Sequence, residues 1–368
     1  MKSLAIIGST GSIGKTSLKI YKDNDKKFKL IYLAAYTNLK KLLRQHKAYR
    51  PKNIFLLNQN KKINNNKLIS KEFALREKQK KIDYIISGVS SYEALNINLK
   101  LIKICKNLLI ANKETIICGG KFLLSYAKKY NCNIIPIDSE HYCVNYLLKK
   151  IRNKNEIKKI HLCASGGPFF NKKIKSNENI KNVLNHPTWK MGKKISIDSS
   201  TFANKIMELF EAKILFNLSN KIIGKIIVEQ SSKIHAIIKL KNNLILPVLH
   251  VPNMELSISN SLSLENNLNT NLNKLNLSFK IPCFKKFPIV KLGYELLNNY
   301  DHVAMILFTV INERLVLKYL KGEIKYGDIV KILVRTFKNK KTINLLKLKI
   351  KKIKDVYKII KIGKELKL

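Results

Sequence analysis

Three glycines near the start of the chain constrain its fold more than any other feature. Gly8, Gly11 and Gly14 follow a short apolar run at residues 3–7 and precede a helical pattern at residues 15–21. Glycine lets a backbone turn tightly beside an anion, and a helix that begins there offers its N–H groups to a phosphate. We therefore predict a strand, a phosphate-binding turn and a helix. Because the spacing differs from the usual G-x-G-x-x-G, a tight turn without a ligand is the alternative.

Apolar segments alternate with helical or polar ones through the first 138 residues. Six segments have the pattern of buried strands, at residues 3–7, 28–35, 53–57, 82–88, 107–111 and 133–137. Strands that alternate with helices pair in parallel, with helices on both faces of the sheet. We expect an α/β fold with a Rossmann-like, doubly wound parallel sheet in residues 1–138.

The remainder of the chain predicts three further parts. Strand-like runs at 158–163, 221–228 and 235–240, with a helix at 200–216, indicate a second α/β domain over residues 139–256. An Asn-, Ser- and Leu-rich stretch predicts a linker at residues 257–282. The helical period that follows predicts a small helical bundle at residues 283–368.

Charge and cysteine content narrow the class of protein. The net charge is +47, yet only six of the 71 basic residues are arginine, the residue that forms bidentate contacts with bases and phosphates. We therefore expect no specific nucleic-acid partner, although weak adhesion to polyanions follows from the charge. The six cysteines form no C-x-x-C pair, and no segment has the pattern of a signal peptide or membrane span. These features favour a reduced, cytoplasmic protein with no membrane partner.

The segment after the second strand predicts the nicotinamide cofactor. An NAD site usually ends this strand with an acidic residue that binds the ribose 2′-hydroxyl. Here the strand is followed by Tyr36, Thr37 and Asn38 and then by Lys40 and Lys41. The absence of an acidic residue favours NADPH.

Carboxylates occur at two places where a metal ligand set is expected. Asp138 and Glu140 follow the sixth strand, and an extended backbone would point both side chains the same way from the ligand-binding edge. Asn204, Lys205 and Glu208 share one face of the predicted helix. Oxygen ligands of this kind suit Mg²⁺ or Mn²⁺. Solvated or salt-bridged carboxylates are the alternative that spacing alone leaves open.

Hydroxyl-rich segments between these carboxylates predict a phosphate site. Ser165 begins the glycine turn SGGPF, and His186 begins a segment that contains Trp189, the only tryptophan. Ser199 lies in a cluster of Asp, Ser and Thr that predicts a helix N-cap, with Lys205 one turn beyond it. Hydroxyl and N–H groups at a helix start, beside a lysine, suit a substrate phosphate. The alternative is that the hydroxyl cluster only caps a helix and that Trp189 only packs in the core.

Taken in order, these motifs resemble the 1-deoxy-D-xylulose 5-phosphate reductoisomerase family. The resemblance is carried by residues 8–14 (GSTGSIG), 111–114 (ANKE), 136–141 (PIDSEH), 165–169 (SGGPF), 186–199 (HPTWKMGKKISIDS), 204–212 and 311–313. It implies a homodimer that converts 1-deoxy-D-xylulose 5-phosphate into 2-C-methyl-D-erythritol 4-phosphate, using NADPH and Mn²⁺ or Mg²⁺, with Co²⁺ as a further candidate. It also assigns the metal, catalytic and dimerisation roles to residues 139–256.

The resemblance carries roles over to individual residues. The implied metal ligands are Asp138, Glu140 and Glu208. The implied catalytic residues are Lys113, Glu140, His186 and Glu208. The implied substrate-binding residues are Lys113, Ser139, Glu140, Ser165, His186, Trp189, Ser199, Asn204, Lys205 and Glu208. The implied NADPH-binding residues are Thr10, Gly11, Ser12, Ile13, Asn38, Asn112, Glu114 and Gly192.

Several positions depart from the family pattern. The family commonly has glycine and a basic residue where this chain has Tyr36 and Thr37, so Lys40 or Lys41 would have to replace the contact with the 2′-phosphate. Two rival functions stay open beside the one that the resemblance implies. One is another NADPH oxidoreductase of the same plan, and the other is an inactive relative that binds polyanions.

Overall fold

The computed structural model describes residues 1–58, 80–268, 271 and 275–368. It contains two compact units, each made of separated stretches of chain. Unit 1 consists of Met1–Thr115, Leu123–Tyr142 and Asn253–Asn267, and unit 2 of Ile116–Phe122, Cys143–Pro252 and Leu268–Leu368. The domain boundaries predicted from the sequence, after residues 138, 256 and 282, divide the chain into consecutive segments instead, and they stay a prediction. Residues 269–270 and 272–274 of the predicted linker lie outside the described residues.

Unit 1 is built on a six-stranded parallel sheet. Its strands are β1 (Lys2–Ile7), β2 (Phe28–Ala35), β3 (Asn53–Leu56), β4 (Ile82–Ser87), β5 (Cys105–Ile110) and β6 (Asn133–Pro136). They are ordered β3-β2-β1-β4-β5-β6, the doubly wound order in which ligands bind at the carboxyl ends of the strands. The predicted α/β class is confirmed, because the continuous apolar runs form strands that are buried on both faces.

Among the described residues, five helices belong wholly or mostly to unit 1. They are α1 (Ser12–Lys22), α2 (Leu39–Tyr49), α3 (Ala94–Ile104), α4 (Lys113–Lys129) and α9 (Met254–Ser261). Buried side chains of α1 and α2, Leu18 and Leu42, join Leu4, Leu33 and Ile54 of the strands in one apolar core. Ile258 of α9 joins the same core, which places this late segment in unit 1.

Unit 2 contains a four-stranded mixed sheet. Its strands are β7 (Ile157–Ala164), β8 (Ile227–Val228), β9 (Ile234–Leu240) and β10 (Ile245–Leu249), in the order β10-β9-β7-β8. The strand predicted at 221–228 is reduced to β8, because the N–H of Ile226 donates to the Tyr294 hydroxyl at 2.7 Å instead of to a strand. Strand β10 was not predicted. It is an edge strand interrupted by Pro247, a residue that such edges tolerate.

The helix predicted at 200–216 is two helices in the structure. Helix α7 (Lys193–Ser200) ends before Thr201, and α8 (Ala203–Leu215) begins after Phe202. Phe202 has φ +68°, a left-handed conformation that ends one helix and redirects the chain into the next. The side chain of Phe202 is buried against Phe287. Tertiary packing therefore places this break.

Helices make up most of the rest of unit 2. Helix α5 (Ser139–Lys150) begins in unit 1 and continues into unit 2, where α6 (Ile180–Leu184) also lies. The predicted C-terminal bundle consists of α10 (Pro288–Asn299), α11 (His302–Leu320), α12 (Tyr326–Lys338), α13 (Lys340–Leu346) and α14 (Ile353–Glu365). Helix α11 is buried over most of its length and is the core of this bundle. Within the described part of the chain, no helix is long and apolar enough to cross a bilayer.

Candidate active site

The glycine turn has the geometry that the sequence predicts. Gly8 has φ +84°, and a Cβ atom there would lie 2.9 Å from the carbonyl carbon of Gly88. Gly11 precedes the first residue of α1, and no side chain caps this end. The first N–H groups of α1 therefore have no acceptor inside the helix. Thr10 lies in this turn, and Ser12 and Ile13 are the first two residues of α1.

Two of the predicted cofactor residues cap helices at the carboxyl edge of the same sheet. Asn38 caps α2 by accepting the N–H of Lys41 at 3.0 Å. Asn112 caps α4 by accepting the N–H of Thr115 at 2.6 Å, and its amide donates to Val89 O at 2.6 Å. These bonds hold both asparagines rigidly. Glu114 lies buried in the first turn of α4, and Gly192 precedes α7 in unit 2.

A basic cleft of about 610 Å³ lies between α1 and α2. Its lining includes Lys15, Lys40, Lys41 and Arg44. The Lys41 ammonium donates to Thr10 O at 2.9 Å, so it lies beside the glycine turn. Burial lowers the pKa of Lys41, and the neighbouring Lys15 lowers it further. Cations held this close favour an anionic ligand. Lys15 and Arg44 were not assigned from the sequence. Only the pairing of α1 with α2 brings Lys15 beside Lys41, whereas Arg44 lies one helical turn after Lys41 in α2, a spacing that the sequence could have shown.

The acidic segment after β6 is held in place by two buried basic side chains. Asp138 Oδ2 lies 3.1 Å from the ammonium of Lys113, and Asp138 Oδ1 lies 3.1 Å from Nδ1 of His141. The expectation of an extended backbone here is wrong, because α5 begins at Ser139. Asp138 precedes that helix and accepts the N–H of Glu140 at 3.3 Å. The predicted residues Lys113, Asp138, Ser139 and Glu140 are nevertheless brought together.

His141 is a site residue that the sequence argument did not assign. Its ring is fully buried and contacts the carboxylate of Asp138. The sequence does place His141 three residues after Asp138. This spacing brings the two side chains together only if the segment is helical.

In unit 2, a glycine turn brings Ser165 beside the end of α7. Gly166 and Gly167 have φ +86° and +67°. A Cβ atom on Gly167 would lie 3.0 Å from Ser199 O, so only glycine lets the two backbones approach. Ser165 Oγ accepts the N–H of Gly167 at 3.2 Å. The turn therefore places Ser165 near Ser199, as the phosphate prediction requires.

The hydrogen bonds of His186 define its tautomer. Its Nδ1 atom accepts the N–H groups of Thr188 at 3.2 Å and Trp189 at 3.0 Å. The proton of the neutral ring is therefore on Nε2, which donates to Ser165 Oγ at 2.9 Å. Burial, and secondly the charge of Lys205, lowers the pKa of His186 to about 4. The ring is neutral at pH 7, and the Ser165 hydroxyl keeps its own proton to donate to a ligand.

The first turns of α8 carry a compact polar set. The ammonium of Lys205 contacts one carboxylate oxygen of Glu208, and the amide of Asn204 donates to the other. Lys205 and Glu208 are both buried. The helical spacing used in the sequence argument is therefore confirmed, and the salt-bridged alternative is also partly correct because Glu208 pairs with Lys205.

The Asp, Ser and Thr cluster does not start a helix as predicted. Ser199 and Ser200 belong to the last turn of α7, and Thr201 follows them. Asp198 is buried and is held by Lys194 at 2.8 Å and by the amide of Asn312 at 2.7 Å. This network fixes the end of α7. Asn312 comes from α11, more than a hundred residues away, so spacing alone gave no sign of it.

Trp189 packs against a pair of histidines. The rings of His235 and His250 stack with centroids 3.8 Å apart, and the Trp189 indole meets His235 edge to face. The Thr188 hydroxyl lies 2.8 Å from that of Ser232. The segment that carries Trp189 is therefore held by hydrogen bonds of its backbone to His186 and by contacts of its side chains with Ser232 and His235.

Comparison with known proteins agrees with this arrangement. Three domain profiles match the chain: 1-deoxy-D-xylulose 5-phosphate reductoisomerase at residues 4–120, the reductoisomerase C-terminal domain at 134–216, and the DXP reductoisomerase C-terminal domain at 249–367. The reductoisomerase of Pelagibacter ubique is 39% identical over 362 residues, which cover 91% of this chain and 90% of that protein. The reductoisomerase of Thermodesulfovibrio yellowstonii is 33% identical and covers 99% and 94%.

Solved structures match over almost the whole chain. A crystal structure of DOX-P reductoisomerase in complex with NADPH, fosmidomycin and magnesium superposes with a TM-score of 0.87 at 28% identity, covering 99% of this chain and 98% of that one. Another, in complex with magnesium, has a TM-score of 0.82 at 26% identity and covers 99% and 98%. On this identity, coverage and fold, the chain belongs to the 1-deoxy-D-xylulose 5-phosphate reductoisomerase family.

Proposed function

We propose that this chain converts 1-deoxy-D-xylulose 5-phosphate into 2-C-methyl-D-erythritol 4-phosphate by rearrangement and reduction, using NADPH and a divalent metal ion. The observation that carries the proposal is the contact between Lys113 and Asp138 at the carboxyl edge of the unit 1 sheet. This contact places a buried lysine beside a carboxylate at the edge where sheets of this strand order bind their ligands. It suits a site that binds a polar substrate together with a cation.

Asp138, Glu140 and Glu208 are the proposed metal ligands. They offer only carboxylate oxygens, which suits Mg²⁺ and also Mn²⁺ or Co²⁺. Asp138 and Glu208 each contact a lysine ammonium, of Lys113 and Lys205 respectively. A bound divalent cation would polarise the substrate ketone and stabilise the negative charge on its oxygen.

Ser165, Ser199, Asn204 and Lys205 are the proposed ligands of the substrate phosphate. The Ser165 hydroxyl oxygen accepts a hydrogen bond from Nε2 of His186, so the hydroxyl proton is left to be donated to the phosphate. The ammonium of Lys205 supplies the positive charge. Because His186 is neutral at pH 7, its part is to orient Ser165 rather than to add charge. Lys113 and Ser139 are placed to bind the hydroxyl and carbonyl end of the substrate.

Trp189 is proposed to cover the bound substrate. The N–H of Trp189 donates to Nδ1 of His186, so the residue that orients Ser165 also positions the side chain proposed to cover the substrate. Exclusion of water would protect the aldehyde until hydride is transferred.

NADPH is proposed to lie across the glycine turn with its adenosine 2′-phosphate in the basic cleft. Lys15, Lys41 and Arg44 replace the basic residue that the family has where Thr37 stands. The 2′-phosphate would relieve the repulsion between Lys15 and Lys41. Asn38 and Asn112, both fixed as helix caps, would bind other parts of the cofactor.

The chain is proposed to form a homodimer and to act in the cytoplasm. Strand β10 is an edge strand, and Leu244 and Ile245 beside and within it are 57% and 59% exposed. Apolar side chains on an open edge are a surface that a second copy would cover. All six cysteines are thiols without disulfides, which is typical of a reducing compartment. Light scattering on a sizing column tests the dimer.

The activity is tested by NADPH oxidation, followed by its absorbance, with 1-deoxy-D-xylulose 5-phosphate and Mg²⁺ or Mn²⁺. Oxidation should depend on the substrate, stop in EDTA and be lost in Glu208→Gln. Folded, metal-loaded protein that oxidises no NADPH would contradict the proposal and would favour the inactive, polyanion-binding alternative.

A further inference from the structure

Two buried cysteines of unit 1 lie in sulfur-to-sulfur contact. Cys105 is the first residue of β5, and Cys132 directly precedes β6. Their Sγ atoms are 3.4 Å apart. Because β5 and β6 are adjacent parallel strands, this contact lies at their amino ends, opposite the edge that carries Asn112 and Asp138. The pair is therefore separate from the proposed active site.

The surroundings of Cys132 favour its thiolate. The S–H of Cys105 lies where it can donate to Cys132, and the ammonium of Lys81 donates to the carbonyl of Tyr130 nearby. The hydrogen bond from Cys105 and the charge of Lys81 lower the pKa of Cys132 against the effect of burial, while the pKa of Cys105 is raised. Cys132 also lies between two exposed residues, Asn131 and Asn133, so it is the member of the pair nearer to solvent. A thiolate in such a setting, with a second thiol in contact, is the arrangement of a redox-active pair.

We propose that Cys105 and Cys132 form a reversible redox pair that peroxides oxidise to an intramolecular disulfide. The Cys132 thiolate attacks one peroxide oxygen, the O–O bond breaks, and the released hydroxide takes up a proton to become water. Cys132 is then a sulfenic acid. The sulfur of Cys105 attacks it, the S–S bond forms, the S–O bond breaks, and the departing hydroxide takes the Cys105 proton. The two thiols lose two electrons, and hydrogen peroxide becomes two waters. A dithiol reductant reverses the change.

The test uses the full chain with Cys283→Ser as the background, because Cys283 is exposed and would react with peroxide by itself. The folded protein is treated with hydrogen peroxide, unfolded in acid, alkylated and mapped by mass spectrometry. We expect loss of alkylation at both Cys105 and Cys132 and one peptide pair joined by a disulfide. Dithiothreitol should restore both thiols. The buried thiols Cys118 and Cys163 serve as internal references and should stay alkylatable.

Two variants separate the steps. In Cys105→Ser, the sulfenic acid of Cys132 should persist and react with dimedone, whereas Cys132→Ser should give neither dimedone adduct nor disulfide. The mass-spectrometric mapping of the parent protein needs neither variant, so it tests the proposal even if one of the variants fails to fold. Peroxide treatment that leaves Cys105 and Cys132 as reactive as Cys118 and Cys163 would overturn the proposal.

Discussion

Nε2 of His186 donates to Oγ of Ser165 over 2.9 Å, while Nδ1 of the same ring accepts the N–H of Trp189. One neutral imidazole thus joins the turn proposed to bind phosphate to the segment proposed to cover the substrate. The two nitrogens have separable roles, because each bond uses a different atom of the ring.

Substitution of His186 should separate these roles. In His186→Asn the amide oxygen can replace Nδ1, so the Trp189 segment is retained but the bond to Ser165 is lost. In His186→Gln the amide nitrogen can replace Nε2, so the bond to Ser165 is retained but the Trp189 segment loses its acceptor. Losing a hydrogen bond of about 1.4 kcal/mol should raise KM for the substrate about tenfold in His186→Asn.

Fluorescence distinguishes the two variants, because Trp189 is the only tryptophan. Its emission should change in His186→Gln and stay close to that of the parent in His186→Asn. Identical emission in both variants would contradict the division of roles between the two nitrogens.

Stability should fall as pH decreases from about 6.5 to about 4. The unfolded chain binds a proton at His186 throughout this window, whereas the folded chain does not because the pKa of the buried ring is near 4. Above pH 6.5 the ring is neutral in both states and contributes no pH dependence. Thermal unfolding of the parent and of His186→Asn from pH 7 to pH 4 measures this effect. The variant should lose less stability than the parent, and equal losses would show that other groups are responsible.

Removal of charge from the basic cleft should weaken NADPH binding selectively. We expect Lys41→Gln and Arg44→Gln each to raise the Kd for NADPH about tenfold or more, since a hydrogen bond to a charged group contributes about 1.5–3 kcal/mol. The Kd for NADH should change little, because NADH lacks the 2′-phosphate. Titration calorimetry gives both constants without turnover. Lys22→Gln, an exposed lysine at the end of α1, is the matched control. Equal weakening of NADPH and NADH would place the 2′-phosphate elsewhere.

Loss of a carboxylate should weaken binding of the divalent ion. We expect Glu208→Gln and Asp138→Asn to lower Mn²⁺ affinity about tenfold or more, measured by electron paramagnetic resonance of free Mn²⁺. Glu295→Gln removes the same charge from the exposed face of α10 and should leave Mn²⁺ binding unchanged. If the Glu208 variant binds Mn²⁺ as the parent does, Glu208 is not a ligand.

Asn312→Ala should destabilise unit 2 by about 2–3 kcal/mol, because it removes a hydrogen bond from the buried carboxylate of Asp198. Urea unfolding measures the loss. Asn298→Ala, on the exposed side of α10, should cost far less. Equal effects of the two substitutions would show that the Asp198 bond adds nothing to stability.

The parallel sheet, the glycine turn and most of the proposed site residues follow from the sequence alone. These features depend on local pattern: apolar runs mark buried strands, the glycines mark the turn, and spacing places Asn204, Lys205 and Glu208 on one helical face. The carboxyl ends of parallel strands then gather Lys113 and Asp138 at one edge without further information.

The partners of these residues depend on tertiary packing. The helix break at Phe202 depends on its packing against Phe287, and the bond between Asn312 and Asp198 joins distant helices. Lys15 joins Lys41 and Arg44 because α1 lies beside α2. Local periodicity carries no information about such contacts, since they depend on which elements pack together and at what distance.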